Sequence, residues 1–218
     1  MNDVAPPRFS RTRAALTVVV ALVAAGALLG ALWAFLAPPV HGVVALTRDG
    51  DRVRAHLGNE SDHFFVAAFL LVGMLCVVGA IAAVAVWQWR AHRGPVMTAA
   101  LATGCMLAAG VAAGVGALLV RLRYGTIDMA AAPVTPENRV HYVVEAPPVF
   151  FGSSPIQAVL TILFPAAVAA LVYSLAAVST ARDDLGAWPP VEVPAFVPPP
   201  AAADVTAESA PPSGPSSP

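Results

Sequence analysis

Four long stretches without a single charged residue or histidine constrain this chain more than any other feature. About 20 apolar residues suffice for a helix to cross the roughly 30 Å hydrocarbon core of a bilayer. Each stretch exceeds that length, and four of them leave too little polar sequence to cover them in water. The sequence therefore predicts an all-α integral membrane protein, a bundle of four transmembrane helices, with spans at 14–36, 64–87, 96–120 and 156–178.

Composition supports the lipid bilayer as the expected surroundings. Only 11% of the residues are charged, whereas a soluble domain carries about 25%. The formal net charge of -1 gives no long-range attraction to phosphate backbones, so we expect no nucleic-acid partner.

The distribution of arginine predicts the orientation. An even number of spans places both termini on one side of the membrane. The segments 1–13 and 88–95 hold five Arg in 21 positions, whereas the loops 37–63 and 121–155 hold six in 62. Because cytoplasmic loops are enriched in Arg, we expect both termini in the cytoplasm and the two long loops outside. The chain then divides into a cytoplasmic N-terminal segment, a membrane domain at 14–186 and a cytoplasmic tail.

The two long loops contain strand signals. In the first, residues 43–48 and 51–54 are β-prone runs separated by Asp49 and Gly50, a pair typical of hairpin turns. In the second, the alternation within 139–145 predicts one strand. We therefore expect a small, partly β cap outside the membrane.

The C-terminal tail, 187–218, has the composition of a disordered segment. Its last 30 residues hold ten Pro among Ala, Ser and Val, with three acids and no Arg. Such a sequence cannot bury enough apolar surface to fold.

Small residues mark candidate packing faces on two spans. Gly26 and Gly30 in the first span, and Gly110 and Gly114 in the third, recur at the four-residue spacing of membrane helix contacts. Packing within the bundle is the favoured interpretation, and a dimer interface is the alternative. In the fourth span, Pro165 cannot donate to the carbonyl of Thr161 and predicts a bend.

The residues that could carry chemistry lie in the loops. His41, Glu60, Asp62 and His63 are the candidate extracytoplasmic interaction residues, and Asp62 is also a candidate N-cap of the second span. The loop histidines permit a metal-dependent enzyme as an alternative, although their spacing matches no metal-ligand pattern; they are His41, His56, His63 and His141. The sequence lacks the motifs of hydrolases and nucleotide binders, so we predict no catalytic residue, no cofactor and no metal.

A small transporter or channel is the second alternative. The spans contain none of the ionisable residues that usually mark an ion or proton path. A pore would have to use hydroxyl groups, and the candidates are Thr98, Thr103, Thr161 and Ser174.

Several loop motifs resemble an uncharacterised membrane-protein family of mycobacteria and related actinobacteria, known only as a domain of unknown function. The resemblance covers about residues 14–186. The motifs are HGVVALT at 41–47, WQWRAHRGP at 87–95, GVGALLVRLRYG at 114–125, APPVFFG at 146–152 and TARDDLG at 180–186. The resemblance implies an inner-membrane location in a bacterium with a complex envelope, and it carries no activity or site.

These observations favour a non-enzymatic membrane component of the cell envelope. The long loops, rather than the spans, carry its charged and aromatic groups. We expect them to contact a protein or lipid partner, with another membrane or envelope protein as the candidate besides the bilayer itself.

Overall fold

A computed structural model describes residues 10–181 and residue 185 of the chain. Residues 1–9, with most of the predicted N-terminal segment, lie outside the described residues, as does the tail beginning at 187 that was predicted to be disordered. The described elements are α1 (Arg11–Leu36), β1 (Val40–Leu46), β2 (Arg52–His56), α2 (Asp62–Gln88), a short 3₁₀ turn (Arg90–His92), α3 (Pro95–Tyr124), β3 (Val140–Glu145) and α4 (Pro155–Val178).

Each predicted span corresponds to one of the four α-helices, all long and apolar enough to cross a membrane. The helices begin at recognisable signals. Ser10 accepts a hydrogen bond from the backbone N–H of Arg13 at 3.3 Å, and Ser154 and Gln157 form a capping box at the start of α4. Asp62, predicted as an N-cap, is instead the first residue of α2. Its negative charge is attracted there to the positive N-terminal end of the helix dipole.

The predicted strands form one antiparallel sheet with the order β2-β1-β3. The hairpin of β1 and β2 comes from the loop between α1 and α2, and β3 comes from the loop between α3 and α4. β1 is therefore the central strand and pairs with one strand from each loop. Val40 lies opposite Glu145 of β3, and Leu46 lies opposite Arg52 of β2. The sheet lies at one end of the bundle and joins its two halves.

The tightest helix contact joins α1 to α3. A Cβ atom placed on Gly26 would lie 2.7 Å from Cα of Ala108, and one placed on Gly30 would lie 2.9 Å from Cα of Ala112. Gly110 and Gly114, expected to pack in the same way, instead face away from the bundle, and no atom of the described residues lies within 4 Å of an added Cβ. The face of α3 that meets α1 is offset from them and carries Gly104, Ala108, Ala112 and Gly116.

A second glycine contact joins α2 to α4. A Cβ placed on Gly79 would lie 3.2 Å from the carbonyl oxygen of Pro165 and 3.5 Å from Cβ of Ala169. α4 continues through Pro165 as one helix. The Thr161 hydroxyl donates to the carbonyl of Gln157 at 2.7 Å.

At the end of the bundle opposite the sheet, Arg93 contacts Trp87 and Leu185. Its guanidinium carbon lies 4.2 Å from the centre of the Trp87 ring, its Nε donates to the Trp87 carbonyl at 2.8 Å, and it also donates to the carbonyl of Leu185. Tyr173 packs edge-on against Trp87 and its hydroxyl accepts from the N–H of Gly94. These contacts join the loop between α2 and α3 to α4.

Candidate functional site

Glu60 connects the start of β1 to the start of α2. Its Oε2 accepts the backbone N–H of His41 at 2.9 Å and lies 3.1 Å from Nδ1 of His41 and 3.0 Å from Nδ1 of His63. Nδ1 of His63 also lies 2.9 Å from the carbonyl oxygen of Pro39. Because that carbonyl can only accept, we assign the proton of the neutral His63 ring to Nδ1. Three of the four predicted interaction residues are therefore in direct contact, and Asp62 lies beside them in the first turn of α2.

The contacts of Glu60 lower its pKa below the ordinary value of 4.5. The largest cause is the hydrogen bond from the His41 backbone, followed by the bond from the His41 side chain; His63 adds a smaller attraction. A carboxylate whose pKa is lower in the folded protein stabilises the fold above its unfolded pKa. That contribution is lost as the pH falls through the lowered value.

We therefore expect replacement of Glu60 to change the pH dependence of stability. In detergent micelles, the wild-type melting temperature should fall faster than that of Glu60→Gln as the pH drops below 4.5. The matched control is Glu137→Gln, which removes an exposed loop carboxylate. Parallel curves for wild type and Glu60→Gln would show that the Glu60 contacts do not stabilise the junction.

A second charged cluster crosses the sheet at Gly42. Glu145 on β3 is buried, with 7% of its surface exposed. Its Oε1 lies 3.2 Å from Nε of Arg54 and 3.9 Å from Nε2 of His56, both on β2, the far strand. A Cβ on Gly42 of the central strand would lie 3.6 Å from that oxygen and 3.1 Å from the carbonyl of Ala55. Glycine thus leaves room for the carboxylate to pass over β1 and pair with a cation.

The four loop histidines are divided among different contacts. His41 and His63 flank Glu60, His56 lies beside Glu145 and packs edge-on against Phe64 at 5.1 Å, and His141 lies on β3. Within residues 10–181 and 185, no three side chains of His, Cys, Asp or Glu are arranged to hold a metal ion. The geometry gives a metal-dependent reaction no support.

The hydroxyl groups proposed for a pore do not share a path in the described chain. Thr98 and Thr161 donate to carbonyls of their own helices, those of Gly94 and Gln157. Thr103 and Ser174 lie on the exposed outer surface. The geometry therefore favours a structural role for these hydroxyl groups over a pore lining.

One face of the sheet is covered and the other is open. On the covered face, Val44 is fully buried and packs with Ala132 and Val134. The open face, called here the outer sheet face, carries large apolar side chains that are 42–71% exposed: Val53, Val140, Tyr142 and Val144. Four exposed apolar side chains therefore lie together on one face of the sheet.

The two edges of the sheet differ in charge. β2 presents Arg52 and Arg54, and charged side chains discourage pairing with another strand. β3 is six residues long and has no charge before Glu145. The Leu46 N–H donates to the Arg139 carbonyl, so the alternation of an antiparallel ladder directs the N–H groups of Val140, Tyr142 and Val144 away from β1.

The three residues of the Glu60 cluster were predicted from the sequence as interaction residues, whereas the Glu145 cluster and the outer sheet face were not predicted. Glu145 and Arg54 are 91 residues apart, and only the strand register brings them together. The alternation of Val140, Tyr142 and Val144 predicted the strand, but their exposure depends on what covers each face of the sheet.

Comparison with known proteins identifies relatives over most of the chain. Residues 22–187 match a family described as a protein of unknown function, DUF2567. The uncharacterized protein Rv1591 of Mycobacterium tuberculosis is 53% identical over 172 residues, which cover 78% of this chain and 89% of the relative. The uncharacterized protein ML1222 of Mycobacterium leprae is 50% identical over 186 residues, 85% of this chain and 93% of the relative. No solved structure matches. The chain thus belongs to the DUF2567 family, in agreement with the resemblance seen in the loop motifs.

Proposed function

We propose that this chain is a non-enzymatic inner-membrane component of the bacterial cell envelope. In this proposal the four helices cross the bilayer, both termini lie in the cytoplasm and the sheet lies outside. The sheet binds a partner protein that adds an extended segment to the free edge of β3. The single observation that carries the proposal is the combination of the apolar outer sheet face with an uncharged edge of β3 that pairs with no strand among residues 10–181.

The chemistry of β3 favours a protein as the partner. Outward N–H and C=O groups at Val140, Tyr142 and Val144 can pair with another strand, which gives affinity through main-chain hydrogen bonds. Their side chains project onto the outer sheet face, where a partner's apolar residues would contact them. Tyr142 is 71% exposed and supplies an aromatic anchor of the kind that dominates binding energy at interfaces.

The test is site-specific photo-cross-linking in intact mycobacterial cells. With p-benzoylphenylalanine at Tyr142, we expect one discrete adduct that contains another envelope protein. The same probe at Asp51, beside the opposite edge, is the matched control and should give no such adduct. Tyr142→Pro should abolish cross-linking from a probe at Val144, because it removes an outward N–H without breaking the β1–β3 ladder.

The alternative outcomes each contradict part of the proposal. An adduct of twice the chain mass would identify a second copy as the occupant of the edge. An adduct with a cytoplasmic protein would contradict the orientation. No adduct from either Tyr142 or Val144 would reject β3 as a binding edge.

A further inference from the structure

We infer that a groove between α2 and α4 binds one acyl chain of a membrane phospholipid. The groove has a volume of about 310 Å³. Phe69 and Val72 line it from α2, and Leu160, Thr161 and Phe164 line it from α4. Phe151 and Gln157 complete its lining. This site is separate from the sheet edge; it rests on the proposed crossing of the bilayer by the helices, but not on the proposed protein partner.

The lining selects an apolar ligand. The Thr161 hydroxyl donates to the Gln157 carbonyl at 2.7 Å, and Oε1 of Gln157 accepts from the N–H of Ser154 at 3.3 Å. The other lining side chains are aliphatic or aromatic. Apart from the side-chain amide of Gln157, the lining offers a polar ligand nothing to replace its bonds to water, whereas a hydrocarbon chain loses none.

The depth of the groove matches one leaflet of a bilayer. At 1.5 Å per residue, Phe69 and Val72 lie about 10 and 15 Å from the start of α2, and Leu160 and Phe164 lie about 8 and 14 Å from the start of α4. Half of a hydrocarbon core is about 15 Å. Both helices begin at the end of the bundle that carries the sheet, so the groove occupies the leaflet beside the sheet.

The groove opens to the outer surface of the bundle, which faces lipid if the helices cross the bilayer as proposed. Phe69, Leu160 and Phe164 are 61%, 59% and 57% exposed, so the opening lies on the outside of the bundle.

Aromatic rings form the wall at the sheet end. Phe65 stacks on Phe69, with ring centres 5.9 Å apart, and its centre lies 5.3 Å from that of Phe151. Phe151 also lines a neighbouring space of about 420 Å³ beside Phe64 and Ser153. Aromatic side chains concentrate where the bilayer meets water, so the headgroup would lie against this second space.

The experiment uses the full chain in phosphatidylcholine vesicles that contain a small fraction of phosphatidylcholine with a diazirine in one acyl chain. After illumination, peptide mass spectrometry maps the labelled residues. All lipid-facing residues meet acyl chains, so the measured quantity is enrichment. We expect labelling of the groove residues to exceed labelling of Leu171 by about tenfold, a difference of about 1.4 kcal/mol.

Two matched variants separate groove occupancy from general lipid contact. Leu160 and Leu171 are both on α4 and both 59% exposed, but only Leu160 lines the groove. Leu160→Trp should fill the space and reduce groove labelling by about tenfold, whereas Leu171→Trp should leave it unchanged. Even labelling around the wild-type bundle would overturn the proposal without any variant. Unchanged labelling in Leu160→Trp, or a cross-link to another protein chain at the groove, would also overturn it.

Discussion

Replacing Gly26 and Gly30 together with alanine should separate α1 from α3 and destabilise the bundle by about 2–6 kcal/mol, at 1–3 kcal/mol for each overpacked site. Each new Cβ would meet the backbone of the facing residue, Ala108 or Ala112, at less than 3.0 Å from its Cα. Backbone atoms cannot rotate away as a side-chain end can, so the helices themselves must move apart. The measurement is the free energy of unfolding in mixed micelles by denaturing-detergent titration.

The chain supplies its own control for this substitution. Gly110→Ala with Gly114→Ala makes the same chemical change in a helix interior, at positions where an added Cβ meets no atom within 4 Å. Alanine favours helix over glycine by about 1 kcal/mol per residue, so the control should be as stable as wild type or more stable. Equal losses in both double variants would refute the assignment of the α1–α3 contact to Gly26 and Gly30.

Trp33→Ala should be the most damaging single truncation, with an expected loss of about 3–5 kcal/mol in the same titration. Trp33 is fully buried, and its Nε1 donates to the carbonyl of Ala67 on α2 at 2.7 Å. Its ring also fills the space opposite Gly116, where an added Cβ would lie 2.8 Å from the ring carbon Cε3. One side chain therefore contacts both α2 and α3 from α1.

Two further variants divide the Trp33 effect into its causes. Trp33→Phe keeps an aromatic ring and loses the hydrogen bond, which in membrane proteins averages about 0.6 kcal/mol and reaches about 1.7. Phe35→Ala truncates an aromatic side chain that is 72% exposed and should change stability by less than about 0.5 kcal/mol. If Trp33→Ala costs no more than Phe35→Ala, the buried tryptophan does not hold the helices together.

The four helices and the three strands could be predicted because their signals are local. A long run without charges predicts a helix long and apolar enough to cross a membrane, and an Asp-Gly pair between β-prone runs predicts a turn. The strands β1 and β3 were therefore expected at nearly their observed positions. Their pairing with each other was not specified, because the sequence gives no register between segments about 100 residues apart.

The packing glycines show why helix faces are harder to predict than helices. α3 carries small residues on more than one side, and the same spacing occurs in Gly110 and Gly114 and in the row that contains Gly104, Ala108 and Ala112. The spacing alone does not tell which row meets α1. Gly79 was missed for the related reason that the other glycine of α2, Gly73, lies six residues away rather than four.

The pairing of β1 with β3 has a mechanical consequence. Six residue pairs connect a strand that follows α1 to a strand that precedes α4. Any movement of α1 and α2 against α3 and α4 at this end would have to break the hydrogen bonds between β1 and β3. Each of these bonds contributes about 0.5–1.5 kcal/mol. The ladder restrains the sheet end of the molecule, and the Arg93 contacts restrain the opposite end. The two halves of the chain are therefore connected at both ends of the bundle.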